Sequence, residues 1–355
     1  MKILFRGALC ALLLTICAVL ASCGAAQPTS ASFQAMDTLM SLKVYGGNPD
    51  TCDKLQNRIE ALDASLDATD ENSEIYRLNT EKTAAVSEDT AYLLHETLSL
   101  CDDFKSAFDL TVYPAVQAWG FNTGDYRVPD EAELKSLAKK INYRTVRYND
   151  RSFSLDDGVQ IDLGAVAKGF AADECRDILC ENNAQAAVLN LGGTIMLFGE
   201  KPDKSRFTVG VTDPDNPAAY FGTLECDQCT VSTSGGYERY FEKDGKRYIH
   251  ILDPKTAAPA DNGILSVTII SDSGTLADAA STALFVMGLG KATEYYQSQK
   301  AFDFIILTEG HNLYITENIY DDFTLGNGYD YTVHKVSERK PSRVDIVGES
   351  PSDES

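Results

Sequence analysis

The chain has 355 residues and a strongly acidic balance, with 53 Asp and Glu residues against 31 Lys and Arg residues and a formal net charge of −22. A surface that binds nucleic acid needs clustered Lys and Arg, so this composition argues against nucleic-acid binding. The length allows about two domains of roughly 100–200 residues each. If such an acidic protein binds a phosphate, a metal ion or a placed Lys must neutralise the phosphate locally.

Residues 1–22 are predicted to be a bacterial lipoprotein signal peptide. Lys2 and Arg6 give it a basic start, and the apolar run that follows is too short for a stable membrane span. The cleavage region reads LASC and resembles a lipobox, in which Cys23 becomes the lipidated first residue. With residues 23–32 as a polar tether, the sequence predicts a lipid-anchored protein on the extracytoplasmic face of the bacterial cell membrane. The alternative is an ordinary signal peptide that carries a Cys at this place.

The rest of the chain alternates strands and helices without a regular βαβ rhythm, which indicates an α+β fold with mixed, mainly antiparallel sheets. Neither a Walker P-loop nor a G-x-G-x-x-G motif after a first strand is present. The polar residues 335–355 predict a disordered tail. In chain order the predicted elements are a strand over 33–45, a helix over 50–66, a loop over 67–79, helices over 87–106 and 130–140, a hairpin over 143–159, a strand end running into a helix over 161–179, an interrupted strand over 186–198, short strands over 207–211, 219–224 and 230–232, a hairpin over 237–252, a strand over 265–271, helices over 275–287 and 292–299, and a closing hairpin over 302–316.

Six of the nine cysteines follow Cys23, which is too few for a disulfide scaffold in a chain of this length. Cys226 and Cys229 stand in the spacing of a zinc knuckle, but no second pair of that spacing exists. We therefore favour a local disulfide or free thiols at this pair over a zinc site.

The stretch IDLGAVAKGFAAD, residues 161–173, places Asp162 and Lys168 in a run of Gly and Ala. Small residues let another group approach the backbone closely. Two interpretations are open at this point. The stretch is either a strand-to-helix corner built for close packing or a place where a ligand reaches the main chain.

A second candidate lies on the predicted helix GTLADAASTALFVMG, where Asp278 and Thr282 stand four residues apart and so share one face. A carboxylate with a hydroxyl suits a hard cation such as Mg²⁺. A polar face of a surface helix is the alternative, although the neighbouring residues are small and apolar. Upstream, the cluster STSGG is able to offer backbone N–H groups to an anion. His250 lies between these two candidates, which favours a catalytic over a structural role.

Six motifs in this order identify a resemblance over residues 36–316, nearly the whole mature chain. They are SAFDLTVYPAVQAWGF, IDLGAVAKGFAAD, LNLGGTIMLFG, STSGGYERYF, HILDPKT and ADAASTALFVMG. Together they resemble the FAD:protein FMN transferase family, the ApbE-type flavin transferases. The resemblance implies an enzyme that binds FAD and Mg²⁺, transfers FMN to a Thr hydroxyl of an exported or membrane flavoprotein through a phosphoester bond, and releases AMP. It also implies that residues 33–334 form two intertwined α/β subdomains.

The resemblance assigns roles to individual residues. It implies that Mg²⁺ is held by the backbone carbonyl of Ala165 with Asp278 and Thr282, which would explain the small residues around Ala165. Because a Thr hydroxyl is a poor nucleophile at neutral pH, we expect His250 to take its proton. The residues expected to contact FAD are Met36, Ala107, Phe108, Asp109, Asp162, Lys168 and Ile251.

One position departs from the family pattern. The loop that ends in NSEIYRLN usually carries an aromatic residue that stacks on the flavin, and the motif places Thr69 there; Tyr76 falls elsewhere in the motif. The balance between transferring FMN and hydrolysing FAD therefore stays open. The alternatives are an FAD pyrophosphatase that releases FMN and AMP, or an exported lipoprotein that binds FAD without chemistry. A zinc-binding protein with its metal site at Cys226 and Cys229 is the least favoured alternative.

Overall fold

The computed structural model describes residues 27–299 and 301–337. The helices are α1 (Thr51–Leu66), α2 (Glu74–Glu81), α3 (Glu88–Phe104), α4 (Tyr113–Trp119), α5 (Glu131–Ala138), α6 (Ala167–Glu181) and α7 (Gly274–Ser298). The strands are β1 (Thr29–Ala35), β2 (Thr38–Gly46), β3 (Thr83–Ala85), β4 (Arg147–Asn149), β5 (Ser152–Ser154), β6 (Ala184–Asn190), β7 (Thr194–Gly199), β8 (Phe207–Asp213), β9 (Asn216–Cys226), β10 (Cys229–Gly235), β11 (Tyr240–Lys243), β12 (Lys246–Ile249), β13 (Leu252–Asp253), β14 (Ala258–Pro259), β15 (Ile264–Ser271), β16 (Asp303–Thr308), β17 (Asn312–Thr316), β18 (Phe323–Leu325) and β19 (Thr332–Val336). Short 3-10 turns lie at Lys105–Ala107, Leu110–Val112 and Tyr143–Thr145.

A nine-stranded sheet in the order β1-β2-β6-β7-β10-β15-β16-β17-β19 forms the centre of the molecule. Its neighbouring strands are antiparallel except for β17 and β19, which run parallel. Smaller sheets pair β18 with β9 and β8, β3 with β5 and β4, β11 with β12, and β13 with β14. The predicted α+β class with mainly antiparallel sheets is confirmed. The division into two subdomains stays a prediction.

The central sheet has a helical side and a sheet side. Alternate strand residues such as Leu42 and Ile269 pack in one apolar core with α1, α6 and α7. The opposite residues, such as Leu197 and Ile305, pack in a second core under the small sheet of β8, β9 and β18. Because side chains alternate faces along a strand, one sheet serves both cores.

Helices α6 and α7 cross with their backbones in contact. A Cβ added at Gly169 would lie 2.1 Å from the Gly274 carbonyl oxygen, so no larger residue fits at this crossing. Asp173 of α6 caps the start of α7, because its carboxylate accepts hydrogen bonds from the N–H groups of Gly274 (2.7 Å) and Thr275 (2.9 Å). The close-packing interpretation of the Gly and Ala run is therefore confirmed at Gly169.

The N-terminal strand prediction is wrong in its topology. Residues 33–45 are not one strand, because the chain turns back at Met36 and Asp37, where φ is 49° and 59°. The result is the hairpin of β1 and β2, with Ala35 opposite Thr38. β1 begins at Thr29, so part of the predicted tether 23–32 is a paired strand instead.

Two further boundaries differ from the sequence prediction. The second half of the predicted loop 67–79 starts α2, whose N-cap Ser73 accepts a hydrogen bond from the Tyr76 N–H. β19 runs past residue 335, the predicted start of the tail, because it pairs with β17 and buries Val336. The other predicted helices and hairpins are present with small shifts of their ends, and the helices over 275–287 and 292–299 meet at a break at Gly288.

The signal peptide 1–22, Cys23 and the rest of the predicted tail lie outside the described residues. Among residues 27–299 and 301–337, none of the helices combines the length and the apolar character that a membrane crossing requires.

Candidate active site

A cavity of about 260 Å³ opens between the start of α6, the middle of α7 and the loops that follow β1, α1, α3 and β12. Every candidate residue for FAD, Mg²⁺ and proton transfer lines it. These residues are Met36, Ala107, Phe108, Asp109, Asp162, Ala165, Lys168, His250, Ile251, Asp278 and Thr282. Residues far apart in sequence therefore meet at one place.

Asp278 is the most firmly held side chain of the cavity, with 5% of its surface exposed. Its Oδ2 accepts a hydrogen bond from the N–H of Gly169 (3.0 Å), and its Oδ1 accepts one from the Ser232 hydroxyl (3.0 Å). The Thr194 hydroxyl lies 3.4 Å from the same Oδ1. These donors fix the direction of the carboxylate. The Gly169–Gly274 contact makes the first of them possible, because it brings α7 against the start of α6.

The Ala165 carbonyl lies just before the helix, because Val166 is the N-cap of α6. Gly169 is the third residue of α6, so its N–H has no acceptor within the helix and donates to Asp278 instead. Within the described part of the chain, the Ala165 carbonyl accepts no hydrogen bond. A half-buried carbonyl without a donor next to a carboxylate is a natural ligand for a hard cation.

Thr282 follows Asp278 by four residues on α7, and both line the cavity. Its hydroxyl lies 3.3 Å from the Ser234 hydroxyl, which also contacts Ser281 at 2.8 Å. Among the described residues, no three His, Cys, Asp or Glu side chains are grouped so that they could hold a metal ion together. The donor set of one carboxylate, one carbonyl and one hydroxyl is all oxygen, which fits Mg²⁺ and not zinc. We call Ala165, Lys168, Asp278 and Thr282 the Asp278 corner.

The cluster STSGG does not form the expected nest of free N–H groups. It lies in β10, a central strand, and the N–H groups of Thr233 and Gly236 donate to the carbonyls of Gly193 and Leu265. The prediction is wrong because these backbone donors are used within and beside the sheet. The cluster contributes hydroxyl groups instead, with Ser232 and Ser234 directed at α7.

Three further charged side chains line the cavity with Asp278. Lys168 Nζ lies 3.8 Å from Asp278 Oδ2 and donates to the Gly164 carbonyl at 3.3 Å. Burial raises the pKa of Asp162, although the N–H of Gly164 bonds its carboxylate at 2.7 Å. Desolvation also raises the pKa of Glu238 to about 7, against the opposing charges of Lys168 and Arg239. Lys168 is thus the cation beside the Asp278 carboxylate.

His250 stands on the opposite wall of the cavity. Its Nδ1 lies 3.1 Å from the carbonyl oxygen of Arg239. Because a carbonyl only accepts, Nδ1 carries the proton and Nε2 keeps its lone pair. Burial lowers the pKa of His250 to about 3, with the positive charges of Arg239 and Lys168 adding to the effect. The ring is therefore neutral at pH 7 and able to accept a proton at Nε2.

The segment with Ala107, Phe108 and Asp109 reaches the cavity from the end of α3. Ala107 and Phe108 present apolar surface, since both are buried against the core. The Asp109 carboxylate faces the protein. It accepts hydrogen bonds from the Thr111 N–H (2.9 Å), the Thr111 hydroxyl (2.6 Å) and the Tyr143 N–H (3.0 Å). Asp109 thereby fixes the loop that shapes this wall.

Another part of the cavity wall is an acidic rim, formed by Met36, Asp37, Asp63, Asp67 and Thr69. Met36 sits in the β1–β2 turn with positive φ, a conformation that costs free energy in residues other than Gly and is found at functional sites. Thr69 lines the cavity where the family pattern has an aromatic residue. Its N–H and hydroxyl both bond Asp67 Oδ1 at 2.7 Å. No ring stands at this position.

Several residues of the cavity could not be predicted from the sequence. Glu238 and Arg239 follow the STSGG cluster, and their spacing gives no sign that they belong to a site. The roles of Ser232 and Thr194 depend on the pairing of β7 with β10, which local sequence does not reveal. A search for hydroxyl residues in strands next to the helix of Asp278 would have found both.

Cys226 and Cys229 lie away from the cavity, at the corner where β9 leaves the small sheet and β10 enters the central one. Both are buried free thiols. Their mutual hydrogen bond raises the pKa of Cys229 and lowers that of Cys226. The choice between a disulfide and free thiols stays a prediction.

A family profile named ApbE matches residues 36–306, about three quarters of the chain. The chain belongs to the ApbE family. This confirms the resemblance found in the sequence, and the match includes all six motifs in full.

Curated members of the ApbE family that resemble this chain are named FAD:protein FMN transferase. The protein of Treponema pallidum is 31% identical over 283 residues, which cover 72% of this chain and 77% of that protein. The protein of Salmonella typhimurium is 29% identical over 333 residues, which cover 87% and 94%. A protein of Klebsiella pneumoniae is 35% identical over 215 residues, covering 59% and 66%.

Solved ApbE structures share the fold. The ApbE protein of Thermotoga maritima superposes with a TM-score of 0.78 at 31% identity, covering 83% of this chain and 99% of that one. The flavinyl transferase ApbE of Pseudomonas stutzeri gives a TM-score of 0.72 at 26% identity, covering 80% and 92%.

Proposed function

We propose that this protein is an Mg²⁺-dependent FAD:protein FMN transferase that moves FMN from FAD onto a Thr hydroxyl of an exported or membrane flavoprotein, with release of AMP. One observation carries the proposal. All eleven residues that the family resemblance assigns to FAD, Mg²⁺ and proton transfer line a single cavity. Membership of the ApbE family and the names of the curated relatives support the same activity.

The Asp278 corner would hold the metal and the diphosphate of FAD. The residues suited to bind Mg²⁺ are Asp278, the free carbonyl of Ala165 and Thr282. When bound, Mg²⁺ supplies positive charge that offsets the diphosphate and stabilises the charge that develops on its oxygens. Lys168 adds a point charge beside it. The hydrogen bonds from the Gly169 N–H and the Ser232 hydroxyl would hold the Asp278 carboxylate in this orientation.

His250 would act as the base. The acceptor Thr oxygen attacks the phosphorus of the FMN half, its proton passes to His250 Nε2, and the bond from that phosphorus to the bridging oxygen breaks. AMP leaves with the bridging oxygen. The Nδ1–H bond to the Arg239 carbonyl holds the imidazole in the tautomer that this step requires. Near neutrality the lowered pKa keeps the base unprotonated before the acceptor arrives.

The test combines the purified protein with FAD, Mg²⁺ and candidate Thr-bearing acceptor proteins from the exported fraction. In-gel flavin fluorescence reports covalent transfer, and chromatography reports AMP. We expect fluorescence on the acceptor and an equal amount of AMP. Tight FAD binding without AMP would identify a flavin-binding protein without chemistry and would contradict the proposal.

A second activity, hydrolysis of FAD to FMN and AMP, is favoured by one observation. Thr69 leaves the acidic rim without the aromatic ring of the family pattern, so the flavin has less to stack on there. A less firmly held flavin leaves more room for water to compete with the acceptor. AMP in excess of transferred flavin would measure this second activity.

We infer in addition that Cys23 anchors the protein to the extracytoplasmic face of the membrane. The support is the sequence LASC after an apolar run and a basic start. Cys23→Ser should move the protein from the membrane fraction to the soluble fraction. Unchanged processing and fractionation of Cys23→Ser would refute the anchor.

A further inference from the structure

A groove of about 990 Å³ runs beside the cavity over the sheet side of the molecule. Its floor is the face of β2, β6 and β7 that the small sheet leaves uncovered. Its wall is formed by β8 and β9, where the ring of Tyr220 lies over Gly210. The groove and the cavity share Met36, Asp37, Lys168, Thr233, Glu238 and Arg239. One end of the groove is therefore the entrance to the Asp278 corner.

The charge of the groove is opposite to that of the whole chain. Four cationic residues line it, namely Lys43, Lys168, Lys201 and Arg239, against the two acidic residues Asp37 and Glu238. The chain as a whole carries 53 acidic residues and 31 basic ones. A local excess of positive charge on such a protein attracts an anionic partner.

Three of these cations form no ion pair with any residue of the described ranges 27–299 and 301–337. Among the described residues, no carboxylate lies within 4.0 Å of the side-chain nitrogens of Lys43, Lys201 or Arg239. The two lysines instead rest against aromatic rings of the groove. Lys43 Nζ lies 5.3 Å from the centre of the Tyr45 ring, and Lys201 Nζ lies 5.3 Å from that of Phe207. This arrangement holds two positive charges on the floor and wall of the groove with their hydrogen-bond donors available.

The residues expected to bind the donor nucleotide lie almost entirely outside the groove. Of the residues expected to contact FAD or Mg²⁺, only Met36 and Lys168 touch the groove, and both stand at its junction with the cavity. The second substrate must bring its hydroxyl to the same phosphorus that the Asp278 corner holds. A polypeptide segment in the groove would arrive there past Lys168 and Thr233.

We propose that this groove binds the acceptor protein, and that the segment carrying the acceptor Thr has acidic side chains that pair with Lys43 and Lys201. The proposal rests on the proposed transferase function, because it names the second substrate of that reaction. It commits to an extended, acidic polypeptide as the occupant. The apolar floor residues, such as Val188 and Ile195, would pack against the same segment.

The test is a charge exchange between protein and peptide. Dye-labelled synthetic peptides contain one Thr between Gly and Ser residues, with neighbouring Asp, Asn or Lys residues in three otherwise identical versions. Fluorescence anisotropy at low ionic strength measures their binding to the full chain and to Lys43→Glu/Lys201→Glu. Lys135→Glu/Lys246→Glu is the matched control, because these two lysines are exposed and lie outside the groove.

Of the three peptides, we expect the Asp peptide to bind wild type most tightly. Its affinity for Lys43→Glu/Lys201→Glu should be about tenfold lower, because two weak ion pairs between peptide and protein are replaced by repulsion between like charges. The Lys peptide should bind that variant better than it binds wild type, and the control variant should behave like wild type. Equal binding of the Asp peptide to all three proteins would overturn the proposal.

Two further measurements distinguish binding of the acceptor from binding of FAD and from self-association at the groove. The affinity for FAD should be the same in wild type and Lys43→Glu/Lys201→Glu, and a parallel loss of FAD affinity would assign the groove to FAD. A difference in sedimentation between wild type and Lys43→Glu/Lys201→Glu without peptide would assign the groove to self-association. Both results would overturn an acceptor site. If wild type transfers no flavin to any acceptor, the proposed transferase function is wrong. The peptide-binding measurements test the groove separately, because they do not depend on transfer.

Discussion

Two parts of the cavity wall, the Asp278 corner and the acidic rim, are built in different ways. At the Asp278 corner, the carboxylate is almost fully buried and each oxygen has a donor from another element of the fold. At the acidic rim, Met36 and Asp37 form a turn with positive φ in which Met36 is half-buried and Asp37 is exposed. The N–H and the hydroxyl of Thr69 both bond its neighbour Asp67. The corner is held by contacts distant in sequence and the rim by local ones. The fold therefore fixes the part suited to the diphosphate, while the rim can differ between relatives without disturbing the core.

The largest effect is expected at the corner. Asp278→Ala should reduce AMP release from FAD by at least about 10³-fold, because the only charged ligand of the proposed Mg²⁺ set is removed. The N–H of Gly169 and the hydroxyl of Ser232 would also lose their acceptor, which should cost about 1–3 kcal/mol of folding free energy. Chromatographic AMP assays and urea denaturation measure the two effects. Asp177→Ala, an exposed carboxylate on α6, is the control, and turnover near the wild-type rate in Asp278→Ala would contradict the assignment.

The second-largest effect is expected for substitution of His250 in the cavity wall. His250→Ala should lower kcat by about 10²–10⁴-fold while the dissociation constant of FAD stays nearly unchanged, because a base acts in the chemical step. His311→Ala, an exposed His outside the cavity, should behave like wild type. An unchanged kcat at saturating FAD with a raised FAD dissociation constant would make His250 a binding residue.

The same residue predicts a pH profile. Because the pKa of His250 is lowered to about 3, its protonation should not reduce kcat/KM between pH 8 and pH 5. An ordinary His would instead produce a limb near its usual pKa of about 6.5. A limb near pH 6.5 that disappears in His250→Ala would contradict the environment described for this ring.

Glu238 offers a test of stability beside the corner. Its pKa is raised to about 7, so the folded protein keeps a proton that the unfolded chain releases near its usual pKa of about 4.5. Stability from this group is present below about pH 4.5 and is lost as the pH rises through about 7. Glu238→Gln should remove that loss and gain stability relative to wild type as the pH rises from about 4.5 to about 8 in metal-free denaturation. The gain should stay below about 1 kcal/mol, because Glu238 is an exposed residue and solvent screens its charge. Glu225→Gln, on the exposed side of β9, should gain nothing, and parallel pH curves for Glu238→Gln and wild type would refute the assignment.

The smallest effect is expected at the rim. Thr69→Tyr should raise the ratio of transferred flavin to free FMN by a few-fold, because an aromatic face worth about 0.5–1.5 kcal/mol would hold the flavin more firmly. Gel fluorescence and chromatography of the same reaction give both products. Thr69→Val is the control for loss of the bond to Asp67. A ratio that is the same in all three proteins would show that the rim does not govern the competition with water.

The sequence predicted the site better than the path of the chain around it. Asp278 and Thr282 could be paired because helical spacing is local, and the motif order supplied the rest of the cavity. The β1–β2 turn was missed because its central residues, Met36 and Asp37, give no Gly or Asn signal for positive φ. The groove could not be predicted, because Lys43 and Lys201 meet only through the pairing of β2, β6 and β7 and the placement of β8.

The contact between Gly169 and Gly274 also determines when the candidate site is complete as the chain folds. Asp278 follows Gly169 by 109 positions, so the two meet only when α7 docks on α6. Until then the Gly169 N–H lacks its carboxylate partner, and the Ala165 segment lacks the other two proposed ligands. The Asp278 corner therefore forms late in folding, in the same step that closes the helical side of the core.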